Sequence, residues 1–429
     1  MRFTSLEAWL AWQENCHPRE IDLGLDRIRQ VAKHMGLLQP CATVVTVAGT
    51  NGKGSCVTML ERLLLAQGKT VGAYTSPHLL RYNERIRIGG IAASDDDICA
   101  AFAAIDQARG TTSLSYFEFG TLAAFWLFRH YQLDYWVLEV GLGGRLDATN
   151  ILDADVAVVT SIAIDHQQYL GSDRETIGRE KAGIFRLGKP VVCADRPPAQ
   201  SVLDYAEALE CPLYLAGQAF DWQVEGDHWL LNLSIDGCAQ SLELPVPQLP
   251  LPSVAAAFQV LMLLGQLHDL DVVAKVCETT GLAGRFQQVL CEENPVYLDV
   301  AHNPAAAEFL AQRLQAQQLK NLGIVAAMMA DKDIEASLRP LQPFVHHWWL
   351  AGLPHIARAA HPNVLYDILK RLGVNESRIT IATSVEDAVT EALNGGLQQH
   401  QCEALLVTGS FYTVSAALQQ CSMPLKKEH

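Results

Sequence analysis

The chain has 429 residues, of which 49% are hydrophobic and 18% charged, and its formal net charge is −15. This length predicts two or three domains, and the acidic balance argues against nucleic acid or an anionic membrane as a partner, since both attract basic surfaces. The eleven cysteines include no Cys-x-x-Cys pair, and we find neither an apolar signal region nor a run long enough to span a bilayer, so we expect a cytoplasmic protein with reduced thiols.

Strand-like apolar runs alternate with helix-length runs in the first half of the chain. We predict strands at 43–48, 70–75, 135–140, 156–162 and 189–193. Near-continuous apolar strands separated by helices are typical of a parallel sheet covered on both faces. From 220 to 244 the pattern changes to short alternating segments with turns, which predicts a small antiparallel addition ahead of the proline-rich segment 245–252.

A glycine-rich turn follows the first predicted strand. Residues 49–55 read Gly-Thr-Asn-Gly-Lys-Gly-Ser, and a helix-compatible run follows at 56–67. A strand, a glycine–lysine loop and a helix favour polyphosphate binding, because backbone N–H groups, the helix N-terminus and the charge of Lys53 all attract anions. Gly54 stands where such loops usually carry a hydroxyl for Mg²⁺. Either Ser55 supplies that hydroxyl, or the metal is held from elsewhere, or the motif is spurious.

Four further segments place polar residues where an apolar strand or a helix ends. They contain Ser76, Glu139, His166 and Lys181. Because the carboxyl ends of the strands in a doubly wound sheet converge on one crevice, we expect Ser76, Glu139 and His166 around the phosphate loop as a partial Mg²⁺ shell. Each residue also has a simpler interpretation: a turn serine, a buried carboxylate that needs some cation, a surface histidine and a helix-end lysine.

A second alternating series begins near Pro295. We predict its strands at 296–300, 322–327, 346–350, 378–381 and 404–408. The predicted fold class is therefore α/β: a P-loop domain with a mostly parallel sheet and a small antiparallel addition, followed by a smaller Rossmann-like α/β domain. We place the domains at 1–284 and 286–429, with a hinge near Arg285. Ligands usually bind in the cleft between two such domains.

Six ordered segments carry a family resemblance. They read Ala-Gly-Thr-Asn-Gly-Lys-Gly-Ser at 48–55, Thr-Ser-Pro-His-Leu at 75–79, Leu-Glu-Val-Gly-Leu-Gly-Gly-Arg-Leu-Asp-Ala-Thr-Asn at 138–150, Arg-Glu-Lys-Ala-Gly-Ile-Phe at 179–185, Asp-Val-Ala-His-Asn-Pro at 299–304 and Gly-Ser-Phe-Tyr-Thr-Val at 409–414. Together they resemble the folylpolyglutamate synthase family of the Mur-ligase superfamily, over nearly the whole chain from about Ile21 to Val414. The segments 21–25 and 114–120 resemble the bacterial bifunctional branch. Its members make dihydrofolate from dihydropteroate and L-glutamate, and then extend the glutamate tail of tetrahydrofolates.

The resemblance implies a role for residues at each motif. ATP would be held by Thr50, Asn51, Gly52, Lys53, Gly54, Ser55, Ser253, Arg285, Asp299 and His302. Two Mg²⁺ ions would be held by Ser76, Glu139, His166 and Lys181, the lysine as N6-carboxylysine, a carbamate that supplies the hard oxygens an amine lacks. Dihydropteroate would bind to Asp22, Leu23, Gly24, Ser115, Tyr116, Phe117, Glu118, Leu146, Asp147 and Ala148, with the ring of Phe117 stacked on the pterin.

Two positions depart from the family pattern. Ser253 stands where the family commonly has an asparagine that contacts the nucleotide. A serine can still cap the helix, but it reaches less far. The hinge reads Ala283-Gly284-Arg285 where Pro-Gly-Arg is usual, and we expect this to loosen the hinge slightly.

The implied reaction is an ADP-forming ligation of an acid to an amino acid through an acyl phosphate. Lys53, His166 and Lys181 are the catalytic candidates. Lys53 and Mg²⁺ would offset the charge on the transferred phosphoryl group, and His166 or a metal-bound oxygen would take the proton of the amine. Closure of the two domains would exclude water. We expect a monomer that acts on small molecules, with no nucleic-acid or membrane partner.

Three alternatives stay open on the sequence. A monofunctional folylpolyglutamate synthase differs in lacking a working pteroate pocket. A cell-wall Mur ligase would need an extra N-terminal domain for its uridine nucleotide, whereas the phosphate loop here begins only about 50 residues into the chain. A regulatory GTPase would need an Asn/Thr-Lys-x-Asp motif, and the segment Asp331-Lys332-Asp333 lacks its leading residue.

Overall fold

A computed structural model describes residues 2–19, 21–291 and 293–422. The chain divides into two compact units, Met1–Thr280 and Gly281–His429, which are described separately below. The end of the predicted second domain, at 423–429, lies outside the described residues. Within the described ranges, no helix is both long and apolar enough to cross a membrane.

The first unit alternates helices and strands along most of its length. Its helices are α1 (Leu6–Gln13), α2 (Asp26–His34), α3 (Lys53–Ala66), α4 (Asp95–Arg109), α5 (Tyr116–His130), α6 (Gln167–Leu170), α7 (Arg174–Ala182), α8 (Gln200–Ala208), α9 (Leu251–Leu263) and α10 (Leu270–Thr279). Its strands are β1 (Thr43–Ala48), β2 (Val71–Tyr74), β3 (Ile86–Ile88), β4 (Ile91–Ala92), β5 (Tyr135–Glu139), β6 (Val156–Val159), β7 (Val191–Cys193), β8 (Leu213–Leu215), β9 (Phe220–Glu225), β10 (His228–Ile235) and β11 (Cys238–Pro245).

The main sheet of this unit has the strand order β4-β3-β2-β5-β1-β6-β7-β8. Neighbouring strands in the part β2-β5-β1-β6-β7-β8 pair in parallel. Strands β3 and β4 add an antiparallel hairpin at the edge next to β2. Every residue of β2, β5, β6 and β7 is buried, as expected for strands with helices on both faces. The carboxyl ends of β1, β2, β5 and β6 therefore meet at one edge of the sheet.

The predicted antiparallel addition is confirmed. Strands β9, β10 and β11 form a three-stranded antiparallel sheet. Its buried face includes Trp229, whose ring packs edge-on against Phe258 of α9 at a centroid distance of 6.2 Å. This contact anchors the small sheet to the helix that begins at Leu251, two residues before the predicted start.

The second unit is a separate α/β layer structure. Its strands are β12 (Gln287–Cys291), β13 (Asn294–Asp299), β14 (Leu322–Ala326), β15 (Val345–Ala351), β16 (Ile379–Ala382) and β17 (Leu405–Thr408). Its helices are α11 (Pro304–Ala316), α12 (Ile334–Leu338), α13 (Pro362–Arg371), α14 (Val385–Glu391), α15 (Leu397–Gln399) and α16 (Phe411–Ser422). The sheet order is β12-β13-β17-β14-β15-β16, parallel except for β12, which confirms the predicted fold class.

Candidate active site

The phosphate loop, residues 49–55, joins β1 to α3 and is bound to the end of β6. The Thr50 N–H donates to the Ser161 carbonyl at 2.7 Å, and the Asn51 N–H donates to Ser161 Oγ at 3.0 Å. Gly49 has φ 154°, and a Cβ there would lie 1.9 Å from Thr160 Oγ1, so only glycine fits. The neighbouring strand end thus fixes the shape of the loop before any ligand binds.

Lys53 opens α3 and turns its side chain back over the loop. Its Nζ donates to the Gly49 carbonyl at 2.9 Å and to the Thr50 carbonyl at 3.2 Å. Ser55, the alternative source of a metal-binding hydroxyl, is fully buried, and its Oγ has no hydrogen-bond partner among the described residues. The loop therefore presents an ammonium group held by its own carbonyl groups, beside the start of a helix whose N–H groups attract anions.

The structure brings Ser76 and Glu139 together at the ends of β2 and β5. The Ser76 N–H donates to Glu139 Oε2 at 3.1 Å, and Glu139 is only 5% exposed. Glu139 pairs in register with Val47 of β1, so the carboxylate lies beside the strand that leads into the phosphate loop. A hydroxyl and a carboxylate at this position are hard oxygen donors of the kind that Mg²⁺ and Mn²⁺ prefer.

His166 and Lys181 come from the segment that follows β6. His166 has a left-handed backbone, with φ 50°, at the start of α6, and its N–H donates to Asp165 Oδ1 at 2.8 Å. Lys181 lies near the end of α7 and is 3% exposed. Burial, the largest cause, and the charge of Lys53 together lower the pKa of its amine to about 7, whereas Asp165 and Asp147 oppose the shift. Because the charge of Lys53 affects this pKa, the buried amine lies near the phosphate loop.

A metal at this edge would need more than acidic and imidazole groups. Within residues 2–19, 21–291 and 293–422, no three His, Cys, Asp or Glu side chains cluster as a metal site. The predicted set is different, because it includes the hydroxyl of Ser76 and an oxygen-bearing derivative of Lys181. Of these donors, the Ser76 hydroxyl and the Glu139 carboxylate are present in the structure, and both are compatible with a divalent ion that also binds phosphate oxygens.

Phe117 lies close to the same strand ends. A Cβ added to Gly141 would lie 2.6 Å from the Phe117 ring, so only glycine allows this approach. The ring also lies 5.8 Å from that of Tyr74, the last residue of β2. The preceding ring, Tyr116, packs edge-on against Tyr82 at 5.6 Å. The predicted dihydropteroate segment 115–118 is therefore next to the strand that ends in Glu139.

Arg27 connects the two parts of the predicted dihydropteroate pocket, and the sequence reasoning missed it. Its Nη1 donates to Asp22 Oδ2 at 2.6 Å, and its Nη2 to Glu118 Oε1 at 3.4 Å. Hydrogen bonding from His17, at 3.0 Å, is the largest cause of the lowered pKa of Asp22. Leu23 and Gly24 follow Asp22 directly, so this network brings the segment 22–24 to the start of α5.

Two acidic residues of the predicted pocket hold the local backbone. Glu118 and Ser115 form a capping box on α5: the Ser115 N–H donates to Glu118 Oε2 at 2.7 Å, and the Glu118 N–H donates to Ser115 Oγ at 3.3 Å. Asp147, between Leu146 and Ala148, accepts N–H groups from Leu142 at 2.9 Å and from Thr149 at 3.0 Å. Burial raises the pKa of Asp147.

Ser253 lies beside the phosphate loop. It is 3% exposed, and a Cβ added to Gly52 would begin 2.3 Å from its Oγ. The structure thus puts this hydroxyl next to the residue that precedes Lys53. Although serine is shorter than the asparagine that the family commonly has at this position, the Ser253 hydroxyl lies beside the loop.

Arg285, Asp299 and His302 lie together in the second unit. Asp299 accepts N–H groups from Phe286 at 2.8 Å and from Ala301 at 2.9 Å, and burial raises its pKa whereas Arg285 opposes that shift. The Arg285 guanidinium lies 5.0 Å from the centroid of the Phe411 ring. His302 lies 6.3 Å from the same ring. Phe411 was not assigned from the sequence, although it lies within the motif 409–414.

Comparison with known proteins gives matches over nearly the full chain. The Mur ligase middle domain model matches residues 47–223, and the Mur ligase, glutamate ligase domain model matches 284–411. The dihydrofolate synthase/folylpolyglutamate synthase of Escherichia coli (strain K12) is 42% identical, over 96% of this chain and 95% of the relative.

Two solved structures have nearly the same fold. One is E. coli FolC in complex with DHPP and ADP, with a TM-score of 0.89, 41% identity and 97% of each chain covered. The other is a bifunctional folylpolyglutamate synthase/dihydrofolate synthase with Mn, AMPPNP and L-glutamate bound, with a TM-score of 0.88, 41% identity and 98% of each chain covered.

Proposed function

The chain belongs to the dihydrofolate synthase/folylpolyglutamate synthase family of ATP-dependent ligases, and from that premise we propose that it joins L-glutamate to dihydropteroate and then extends the glutamate tail of tetrahydrofolates. Both reactions would proceed through an acyl phosphate and release ADP and phosphate. The single observation that carries the proposal is the contact of Ser76 with Glu139, at 3.1 Å, beside the strand that leads into the phosphate loop.

The phosphoryl-transfer step would use the first unit's loop. A carboxylate oxygen of the acceptor attacks the γ-phosphorus of ATP, the bond from that phosphorus to the bridging oxygen breaks, and ADP leaves. Lys53 would exchange its bonds to the Gly49 and Thr50 carbonyls for bonds to phosphate oxygens, because an ammonium group binds a negatively charged oxygen more strongly than a neutral carbonyl oxygen. Catalysis of this step depends mainly on positioning and on opposing charge.

The amide-forming step then follows on the acyl phosphate. The α-amine of L-glutamate attacks the acyl carbon, phosphate leaves with the former carboxylate oxygen, and one amine proton is lost. We place L-glutamate with the second unit, which carries the glutamate ligase domain match. Exclusion of water protects the acyl phosphate from hydrolysis.

Divalent ions would be held by Ser76, Glu139, His166 and Lys181, with Mg²⁺ as the physiological ion and two ions bound. When bound, they supply positive charge that offsets the charge on the transferred phosphoryl group. The buried amine of Lys181, with its lowered pKa, supports carbamate formation, because only the neutral amine adds CO₂. The carbamate would place a carboxylate at a position where lysine alone offers a cation.

Further contacts to ATP are proposed from residues 50–55 and Ser253 in the first unit and from Arg285, Asp299 and His302 in the second. The approach of Ser253 to Gly52 supports its role. The clustering of the second-unit residues around Phe411 supports a joint role for them.

Dihydropteroate would lie against Phe117, whose ring is beside Gly141. The remaining members of this pocket are Asp22, Leu23, Gly24, Ser115, Tyr116, Glu118, Leu146, Asp147 and Ala148. The bonds that Ser115, Glu118 and Asp147 make to the local backbone support a role in shaping the pocket.

We also propose a monomeric, cytoplasmic enzyme. The eleven cysteines, all within the described residues, are free thiols, which suits a reducing compartment. Light scattering of the purified chain tests this state against the mass of 47.0 kDa.

ADP release with dihydropteroate or tetrahydrofolate as acceptor tests the function. We expect ADP release with both acceptors, dependent on L-glutamate and on ATP rather than GTP. With hydroxylamine in place of L-glutamate, each acceptor should give its hydroxamate. Absence of glutamate-dependent ADP release with either acceptor would contradict the proposal, and turnover with tetrahydrofolate alone would support the monofunctional alternative.

A further inference from the structure

Arg85, which the sequence reasoning left unassigned, is held in a fixed orientation beside the predicted acceptor pocket. Its Nε donates to His78 Nδ1 at 2.8 Å. Its guanidinium lies 5.4 Å from the ring centroid of Tyr82 and 5.5 Å from that of Tyr116. Two aromatic rings and one directional hydrogen bond therefore restrict the rotation of a half-buried cation.

His78 acts as a neutral acceptor for this arginine. Because His78 Nδ1 accepts the Arg85 Nε–H at 2.8 Å, that ring nitrogen carries no proton and the imidazole is neutral. The positive charge of the pair therefore belongs to Arg85 alone. The imidazole orients the guanidinium without neutralising it.

The terminal nitrogens of Arg85 are available to a ligand. In the described part of the chain, Nη1 and Nη2 donate no hydrogen bond to another residue. The adjacent carboxylate, Glu84, is occupied by N–H groups of Leu79 at 2.7 Å, Leu80 at 2.9 Å and Arg81 at 2.7 Å. A half-buried guanidinium with two such nitrogens is suited to bidentate binding of a carboxylate.

The position of Arg85 indicates which carboxylate it can bind. Tyr116 precedes Phe117 of the proposed pterin site, and His78 is two residues beyond Ser76 of the proposed metal site. In a folate, the pterin and the aminobenzoyl group carry no negative charge, because the aminobenzoate carboxyl group is part of an amide. Dihydropteroate has one carboxylate, and it must reach the γ-phosphate near Lys53. A folate with a glutamate tail has a second carboxylate, on the α-carbon, that does not react.

We propose that Arg85 binds the α-carboxylate of the acceptor's terminal glutamate, so that this subsite is used in tail extension and not in the reaction of dihydropteroate. The inference rests on the proposed function. The two reactions would then differ physically, because only a folate with a glutamate tail carries the α-carboxylate that pairs with Arg85.

The test compares steady-state constants of Arg85→Gln with both acceptors. Loss of a charge-assisted, bidentate contact should raise KM for tetrahydrofolate about 10- to 100-fold, whereas KM for dihydropteroate should rise less than about threefold. Arg85→Lys, which keeps the charge but not the fork, should give an intermediate KM for tetrahydrofolate. The matched control is Arg81→Gln, because Arg81 is 69% exposed and pairs with Asp95 at 3.1 Å. Its constants should stay at the wild-type values.

A substrate analogue makes the test independent of the folding of the variant. Tetrahydrofolate with its tail α-carboxylate converted to an amide should bind the wild type as weakly as tetrahydrofolate binds Arg85→Gln, and the variant should not distinguish acid from amide. Equal KM values for acid and amide in the wild type would overturn the inference. So would an Arg85→Gln effect of equal size on both acceptors. If the proposed function itself were wrong, the result would be different, because the wild type would then show no glutamate-dependent ADP release.

Discussion

The phosphate loop and the segment 115–118, which we propose binds the acceptor, lie at the same edge of one sheet but use their polar groups differently. In the loop, the segment that follows β6 holds the backbone, and the Lys53 ammonium donates to two loop carbonyls that a phosphate would replace. In the acceptor segment, Ser115 and Glu118 are bound to each other and cap α5. The comparison teaches that a polar residue within a motif can either bind a ligand or hold the backbone that presents one.

The largest effect is expected at the loop. Lys53→Ala should lower kcat about 10²- to 10³-fold, because the transferred phosphoryl group loses its nearest opposing side-chain charge. Steady-state ADP release measures the effect, and Lys33→Ala, an exposed lysine of α2, is the control. Unchanged turnover in Lys53→Ala would remove the loop from the chemistry.

The carbamate content of Lys181 and the turnover of the enzyme should depend on pH and on CO₂. Because burial lowers the pKa of its amine from 10.5 to about 7, the neutral form that adds CO₂ increases as pH rises through 7. Carbamate content and turnover should therefore both rise between about pH 6 and pH 8, and both should fall when CO₂ is removed. Carbon-13 NMR with labelled bicarbonate detects the carbamate.

Replacement of Lys181 should give the second largest loss of activity. Lys181→Ala should lose the carbamate signal and about 10- to 100-fold in activity, by analogy with other groups that support a metal site. Lys189→Ala, half exposed and paired with Asp155 at 2.9 Å, should keep both. A wild-type spectrum without a carbamate signal would leave Lys181 as a buried structural amine.

Phe117→Ala should act on acceptor binding. Removal of the ring beside Gly141 should raise KM for dihydropteroate about 3- to 10-fold, because an aromatic stacking contact contributes about 0.5–1.5 kcal/mol. KM for ATP should stay unchanged, which separates pocket loss from general damage. Equal changes in both KM values would mean that the ring only packs the strand ends.

Glu118→Ala should act on stability and hardly on KM. It removes the capping bond from the Ser115 N–H, at 2.7 Å, and the pairing with Arg27, so the free energy of unfolding should fall about 1–2 kcal/mol. Chemical denaturation measures the loss, and Glu14→Ala, exposed at the end of α1, is the control. If KM for dihydropteroate rose by more than for Phe117→Ala, Glu118 would bind the acceptor directly.

The repeating patterns of the sequence were sufficient for the architecture. The buried parallel strands appear as continuous apolar runs, and β1 has its predicted bounds, 43–48. The strands β3, β4, β8 and β12 were missed because they are short and partly exposed, so they lack both a continuous apolar run and a long alternation. The hairpin of β3 and β4 matters for the site, since Arg85 directly precedes it.

The candidate site was predictable only where residues follow strand ends. The contact of Ser76 with Glu139 agrees with the expectation that parallel strand ends converge. Arg27 and Arg85 were missed because each acts through residues distant in the sequence or in another element, such as Glu118 for Arg27 and Tyr116 for Arg85. Burial, which sets the pKa of Lys181, is likewise a property of the packed structure and not of the motif around it.

The most direct measurement follows one oxygen atom through the reaction. Dihydropteroate labelled with oxygen-18 in its carboxylate is turned over with ATP and L-glutamate, and the released phosphate is analysed by mass spectrometry. Attack of that carboxylate on the γ-phosphorus predicts that each phosphate carries one labelled oxygen. Phosphate without the label, released together with the amide product, would contradict phosphoryl transfer to the acceptor at the Lys53 and Glu139 edge.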